Sequence, residues 1–257
     1  MKTQKQNIAI FQKIDMFLKA KNIDCADSAI FRFKDDRNNG IVFDLPRHLK
    51  GLIYSQLSNQ QKWSTIEPKL AMVDEVFFNY DISLIKQHDG RYFSDKIKSI
   101  KCGNRIISKQ MNNLHYNISV LESIENNEGG LDEYYNITPA RELIKQLSAS
   151  NGKYKLKYVG VALACEYLGN IGIDRIKPDG QIKRIMGANR LGYSKKAEAT
   201  ENDVLFAGAE IAQHTGLSLS MVDALLWSLC IEDKGNVCTK IPNCHICPVI
   251  EYCNKIK

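Results

Sequence analysis

Residues 155–192 read KLKYVGVALACEYLGNIGIDRIKPDGQIKRIMGANRLG, and the way this stretch folds sets the architecture of the chain. The run VALACEYLGN has helical apolar spacing and is opened by a turn that ends at Gly160. A glycine turn at a helix start leaves backbone N–H groups free to hold a phosphate. Lys153, Lys155 and Lys157 flank that turn with positive charge. Farther on, Pro178-Asp179 precedes a second helical run, GQIKRIMG, for which Asp179 is a suitable N-terminal cap.

Helical spacing dominates outward from there. Residues 7–20 place Ile10, Ile14, Phe17 and Leu18 on one face. Pro46 opens a stretch that reads as two helices separated near Pro68. TPARELIKQLSAS starts on a Thr and a Pro and stops at Asn151-Gly152. The spacing predicts about eight to ten helices with short connections, an all-α protein. The one stretch that suggests strands is a short ribbon near AIFRF and GIVFDL, around residues 29–45.

At 257 residues with 44% hydrophobic content, the chain can bury a proper core without staples. No apolar run reaches the roughly 18 residues of a membrane span, and the first residues lack a signal-peptide pattern. A cytoplasmic location and no membrane association are expected. A net charge of +6 and a pI near 8.8 suit a polyanionic partner without requiring one.

Near the C-terminus, CTKIPNCHICPVIEYC carries Cys238, Cys244, Cys247 and Cys253, spaced x5, x2 and x5. Four thiols this close in a cytosolic protein point to a metal, and spacing alone leaves zinc and a [4Fe–4S] cluster both open. His245, between two of these cysteines, is the one histidine placed to support such a ligand set. Cys25, Cys102, Cys165 and Cys230 stand singly and read as packing residues.

Together these residues resemble the endonuclease III group of the helix-hairpin-helix DNA glycosylase superfamily. The cysteine string has that group's last two spacings, with five residues instead of six in the first gap. The superfamily hairpin has the form L-x-G-hydrophobic-G-x-x-x-A. Leu156, Val159, Gly160 and Ala164 match it, while Tyr158 stands where the first glycine is usual. An aspartate at the next helix start, a basic residue and RLG follow in that family; here they are Pro178-Asp179, Arg184 and residues 190–192. Gly180 and Gln181 replace the frequent Thr-His. The resemblance covers about residues 45–257.

What the resemblance implies is specific. The fold would be all-α and two-lobed, a six-helix barrel over 46–178 and a cluster lobe built from 1–45 and 179–257. The cysteines would hold a [4Fe–4S] cluster, with zinc as the alternative. The partner would be double-stranded DNA with a damaged or mispaired base, and no obligate protein partner is evident. Asp179 would be catalytic, stabilising the charge on the sugar or orienting water, besides its bland role as a cap. Lys155, Lys157, Val159, Gly160 and Ala162 would face the DNA backbone. Ala162 occupies the place of the lysine that cuts strands in bifunctional members, so the enzyme would be monofunctional. Gly51 occupies the place of the glutamate of the adenine-removing branch. Gln56 would fill the gap left by a flipped base, with Ser58 and Asn59 near the pocket and Tyr54 and Trp63 available for stacking. Two other classes compete: a non-catalytic helix-hairpin-helix protein that binds damaged or distorted DNA, and a cluster protein with no DNA role.

Overall fold

The structure, a computed structural model, describes residues 2–27 and 29–256. Among them are fifteen α-helices joined by short turns and single 3-10 turns, and no strand. The ribbon expected around residues 29–45 is therefore corrected: Ala29–Asn38 is a helix and residues 41–44 are an irregular link. The cause is the anchoring of this helix through Arg37, whose guanidinium bonds Asn136 and donates through Nε to the Ile171 carbonyl at 2.9 Å. The alternation of Phe31 and Phe33 has no partner strand to pair with. The long stretch after Pro46 is also more broken than expected, into Leu45–Leu57, Trp63–Ile66 and Leu70–Val76.

The chain forms two compact units: Met1–Arg32 with Asp174–Lys257, and Phe33–Ile173. These boundaries differ from those the resemblance implies, for a physical reason. Arg37 pairs with Asp132 at 2.8 Å and Phe43 N–H donates to Asp132 Oδ2 at 3.0 Å, which ties residues 33–45 to the second unit. Asp174 and Lys177 are held instead by the Leu219–Cys230 helix, which draws 174–178 into the first unit.

In the first unit, the Gln4–Lys19 helix starts at a Thr3–Gln6 capping box and buries Ile10, Phe11, Ile14 and Leu18. That face packs on Glu201–Thr215 and Leu219–Cys230, in a core shared with Ile182, Ile185, Val204, Leu226 and Leu229. Each such aliphatic side chain contributes about 1.5–3 kcal/mol by leaving water. In the second unit, Leu45–Leu57 is capped by Asp44, which accepts from Arg47 N–H, and is buried almost throughout. It lies against Val161–Asn170, the helix that the hairpin opens. Gly51 permits the approach, since a Cβ there would stand 2.9 Å from Ile171 Cγ2.

Candidate active site

The hairpin belongs to the second unit and is built around a left-handed residue. Tyr158 has φ +58° and is exposed, so this chain places an L side chain where the backbone favours glycine. Val159 is buried and Gly160 is exposed in extended backbone, as the N-cap of Val161–Asn170. No side chain caps that helix, and nothing lies within 4 Å of a Cβ at Gly160. Ala162 is half-buried in the first turn. The backbone N–H groups at this helix start are thus open to an outside acceptor.

The lysines separate by role. Lys155 turns into the hairpin, donating to the Ser148 carbonyl at 2.7 Å and to the Val159 carbonyl. Burial, with Lys157 behind it, lowers its pKa. Two backbone acceptors thus engage the ammonium of Lys155, which is half-buried. Lys157 remains exposed, with its ammonium 5.2 Å from the Tyr116 ring centroid. Lys153 pairs with Glu128. Sequence reasoning missed Asn117, a fully buried residue that grips the Lys157 backbone; a lone Asn in a helix gives no local signal of such a role.

Asp179 belongs to the first unit and caps Gly180–Met186. Its Oδ1 accepts from Gln181 N–H at 2.8 Å and Ile182 N–H at 2.9 Å. The Oδ2 atom takes no hydrogen bond among the described residues, and the side chain is half-buried. The cap and an available carboxylate oxygen therefore coexist in one residue.

Of the pocket candidates, Tyr54 and Trp63 come together, with rings 6.3 Å apart. Tyr54 does not present a free hydroxyl: it donates to Asp74 Oδ1 at 2.7 Å, beside Tyr80 at 2.8 Å, while Lys50 holds Oδ2 at 2.7 Å. Burial, then the bond to Asp74, raises the Tyr54 pKa. Tyr54 also lines a cleft of about 280 Å³ with Phe33, Phe43, Arg47, Lys50 and Asn170. Ser58 and Asn59 are half-buried where the Leu45–Leu57 helix ends, and Ser58 Oγ bonds the Ser55 carbonyl. Gln56 departs from its expected role as a wedge. It is 1% exposed, its carbonyl accepts from Asn104 at 2.8 Å, and its Nε2 is buried without a partner. A side chain turned into the protein does not project into a duplex.

Cys238 is buried, and Cys244, Cys247 and Cys253 are half-buried. The four are electrostatic neighbours: burial raises Cys247 to about 11, and the thiols of Cys238, Cys253 and Cys244 push the same way. No three His, Cys, Asp or Glu side chains among the described residues gather to hold a single metal ion. Arg184 and Arg190 act on Cys238, and the Nε of each is buried with no hydrogen-bond partner. Two orphaned donors beside the Cys238 thiol suit an anionic sulfur-rich group in donor chemistry and in charge. Cys25, Cys102, Cys165 and Cys230 are buried.

No protein-family model matches this sequence, and no curated protein matches it. The structure is similar to that of the Methanocaldococcus jannaschii 8-oxoguanine glycosylase/lyase solved in complex with a 15mer DNA containing 8-oxoguanine. The TM-score is 0.59 at 17% identity, over 85% of this chain and 95% of that one. No helix among the described residues is long and apolar enough to cross a membrane. The likeness is one of fold: this chain shares the all-helical architecture of that glycosylase/lyase.

Proposed function

We propose that this chain is a DNA glycosylase of base-excision repair, acting on double-stranded DNA. One observation carries the reading: within a glycosylase fold, Asp179 commits one oxygen to capping and keeps the other free. The hairpin N–H groups and the exposed Lys157 would take the DNA backbone, and the target base would leave the stack. As the base departs with the electron pair of its bond to C1′, positive charge builds on the deoxyribose. The free Asp179 oxygen stabilises that charge, and water completes the hydrolysis at C1′. Ala162 offers no amine for a Schiff base, so strand cleavage is not part of the reaction, in contrast to the lyase named for the similar structure.

The cysteine loop is proposed to hold a [4Fe–4S] cluster through Cys238, Cys244, Cys247 and Cys253. Such a cluster binds each thiolate to a different iron, so its ligands need not converge on one point as zinc ligands do. Bound there, it supplies a rigid brace and no step of the base removal. Arg184 and Arg190 offset its negative charge.

The test is a set of duplexes, each with one lesion, beginning with 8-oxoguanine and extending to alkylated purines and mispaired pyrimidines. Alkali then reveals abasic sites. Wild type should leave an alkali-labile site in at least one duplex, and Asp179→Asn should be slower by about 100-fold or more. Equal action by both would remove Asp179 from the chemistry. Breaks without alkali, trapped by borohydride, would overturn the monofunctional assignment. A brown protein with broad visible absorption, bleached by Cys244→Ala, is expected for the cluster; stoichiometric zinc would refute it.

A further inference from the structure

The segment Asp174–Pro178, which carries the chain into Asp179, is latched along its length to one helix. Asp174 caps that helix, Leu219–Cys230, accepting from Leu219 N–H through Oδ2 and from Ser220 N–H through Oδ1, each at 3.0 Å. Ser220 Oγ meets both sides of Arg175, accepting from its N–H at 3.4 Å and donating to its carbonyl at 3.5 Å. One turn on, Asp223 takes Arg175 Nη1 on Oδ2 at 2.7 Å and Lys177 N–H on Oδ1 at 3.0 Å. Arg175 is 1% exposed and Asp223 8%. From the other side, Ile176 rests on Gly208 of the Glu201–Thr215 helix, where a Cβ would stand 2.8 Å from Ile176 Cγ2. Three consecutive residues of the approach, Arg175, Ile176 and Lys177, are thus fixed before the rigid Pro178 delivers the chain to Asp179.

From this geometry, and resting on the glycosylase reading above, we infer that Asp223 is a positioning residue for the reaction. It holds the backbone that sets where the free oxygen of Asp179 points, without touching DNA itself. A carboxylate buried against an arginine and a backbone amide is a costly way to make a merely structural contact. Here it satisfies two donors, Arg175 Nη1 and Lys177 N–H, of the segment that leads to Asp179. Placement matters because displacing a reacting group by about 1 Å can cost on the order of 100-fold in rate.

The test uses the full chain with Asp223→Asn, which keeps the size of the side chain and removes its charge, and Ser220→Ala as a milder variant. Hydrogen exchange at Gln181 and Ile182 reports whether Asp179 still caps its helix. Single-turnover excision on the duplex that wild type processes gives the rate, and titration gives the Kd. Expected are faster exchange at both amides and excision slower by about 10- to 100-fold, with Kd within about twofold. Ser220→Ala should shift all three readings in the same directions by less. Unchanged exchange in both variants would overturn the latch. Faster exchange with an unchanged rate would overturn the positioning role alone. Failure of wild type to excise any base overturns the glycosylase reading on which the inference rests, whatever the variants do.

Discussion

Asn117 grips Lys157 from both sides of its peptide backbone: Oδ1 accepts from Lys157 N–H at 2.7 Å, and Nδ2 donates to the Lys157 carbonyl at 3.2 Å. The pair lies 40 residues apart in sequence and clamps the approach to the hairpin with a side chain that has no solvent exposure. Removing the amide orphans a backbone N–H and a carbonyl at once. Asn117→Ala should therefore lose about 2 kcal/mol of stability in urea unfolding and quicken hydrogen exchange at Lys157. An unchanged urea midpoint would show that water replaces both bonds without loss.

Tyr158 gives the opposite sign. Its left-handed backbone costs an L residue about 1–2 kcal/mol, and its side chain is 43% exposed. Tyr158→Gly relieves that strain but also gives the unfolded chain more freedom, so a net gain of about 0.5–1 kcal/mol is expected. Thermal unfolding measures it. A fall in Tm would mean that the exposed ring contributes packing that offsets the strain.

Lys155 and Lys157 should part company in DNA binding. Lys157→Ala is expected to reduce the salt dependence of duplex affinity by about one phosphate contact, with stability unchanged. Lys155→Ala should leave that slope alone and lower stability, because its ammonium spans the Ser148 and Val159 carbonyls. Affinity measured across a salt series, with urea unfolding alongside, separates the two; a reduced slope for Lys155→Ala would contradict the assignment.

Asp223 makes stability depend on pH in an unusual direction. Burial drives its carboxyl to about 6, against the pull of Arg175 and Lys177 and with the charge of Asp179 adding to the rise. The folded chain then keeps this proton where the unfolded chain has released it. The resulting stability is complete below the ordinary value of 3.8 and is lost as pH rises through about 6. Wild type should gain on Asp223→Asn in urea midpoint between pH 7 and pH 4.5. A difference that stays constant across that range would exclude the raised carboxyl.

The helical character and the cap at Asp179 could be read from the sequence because each rests on local spacing. The burial of Gln56 and the inward turn of Lys155 could not. Both depend on which face of a helix or turn meets the next element, and a polar side chain at a helix end looks alike in either case. The grip of Asn117 on Lys157 and the latch of Asp223 on Arg175 and Lys177 span 40 to 48 residues. Nothing in the local pattern marks an Asn or Asp for a distant backbone. The ribbon near residue 30 failed for a related reason: alternation of Phe31 and Phe33 mimicked a strand, while Arg37 tied the segment down as a helix.

The first unit is discontinuous, its opening 32 residues joined to residues from 174 onward, whereas the second is one unbroken stretch. During synthesis the unbroken stretch can complete its core as it leaves the ribosome. The Gln4–Lys19 helix must wait, with Ile10, Phe11, Ile14 and Leu18 unsheltered, until Val204, Ile211, Leu226 and Leu229 have been translated. A helix translated before the unbroken stretch thus finds its place after it.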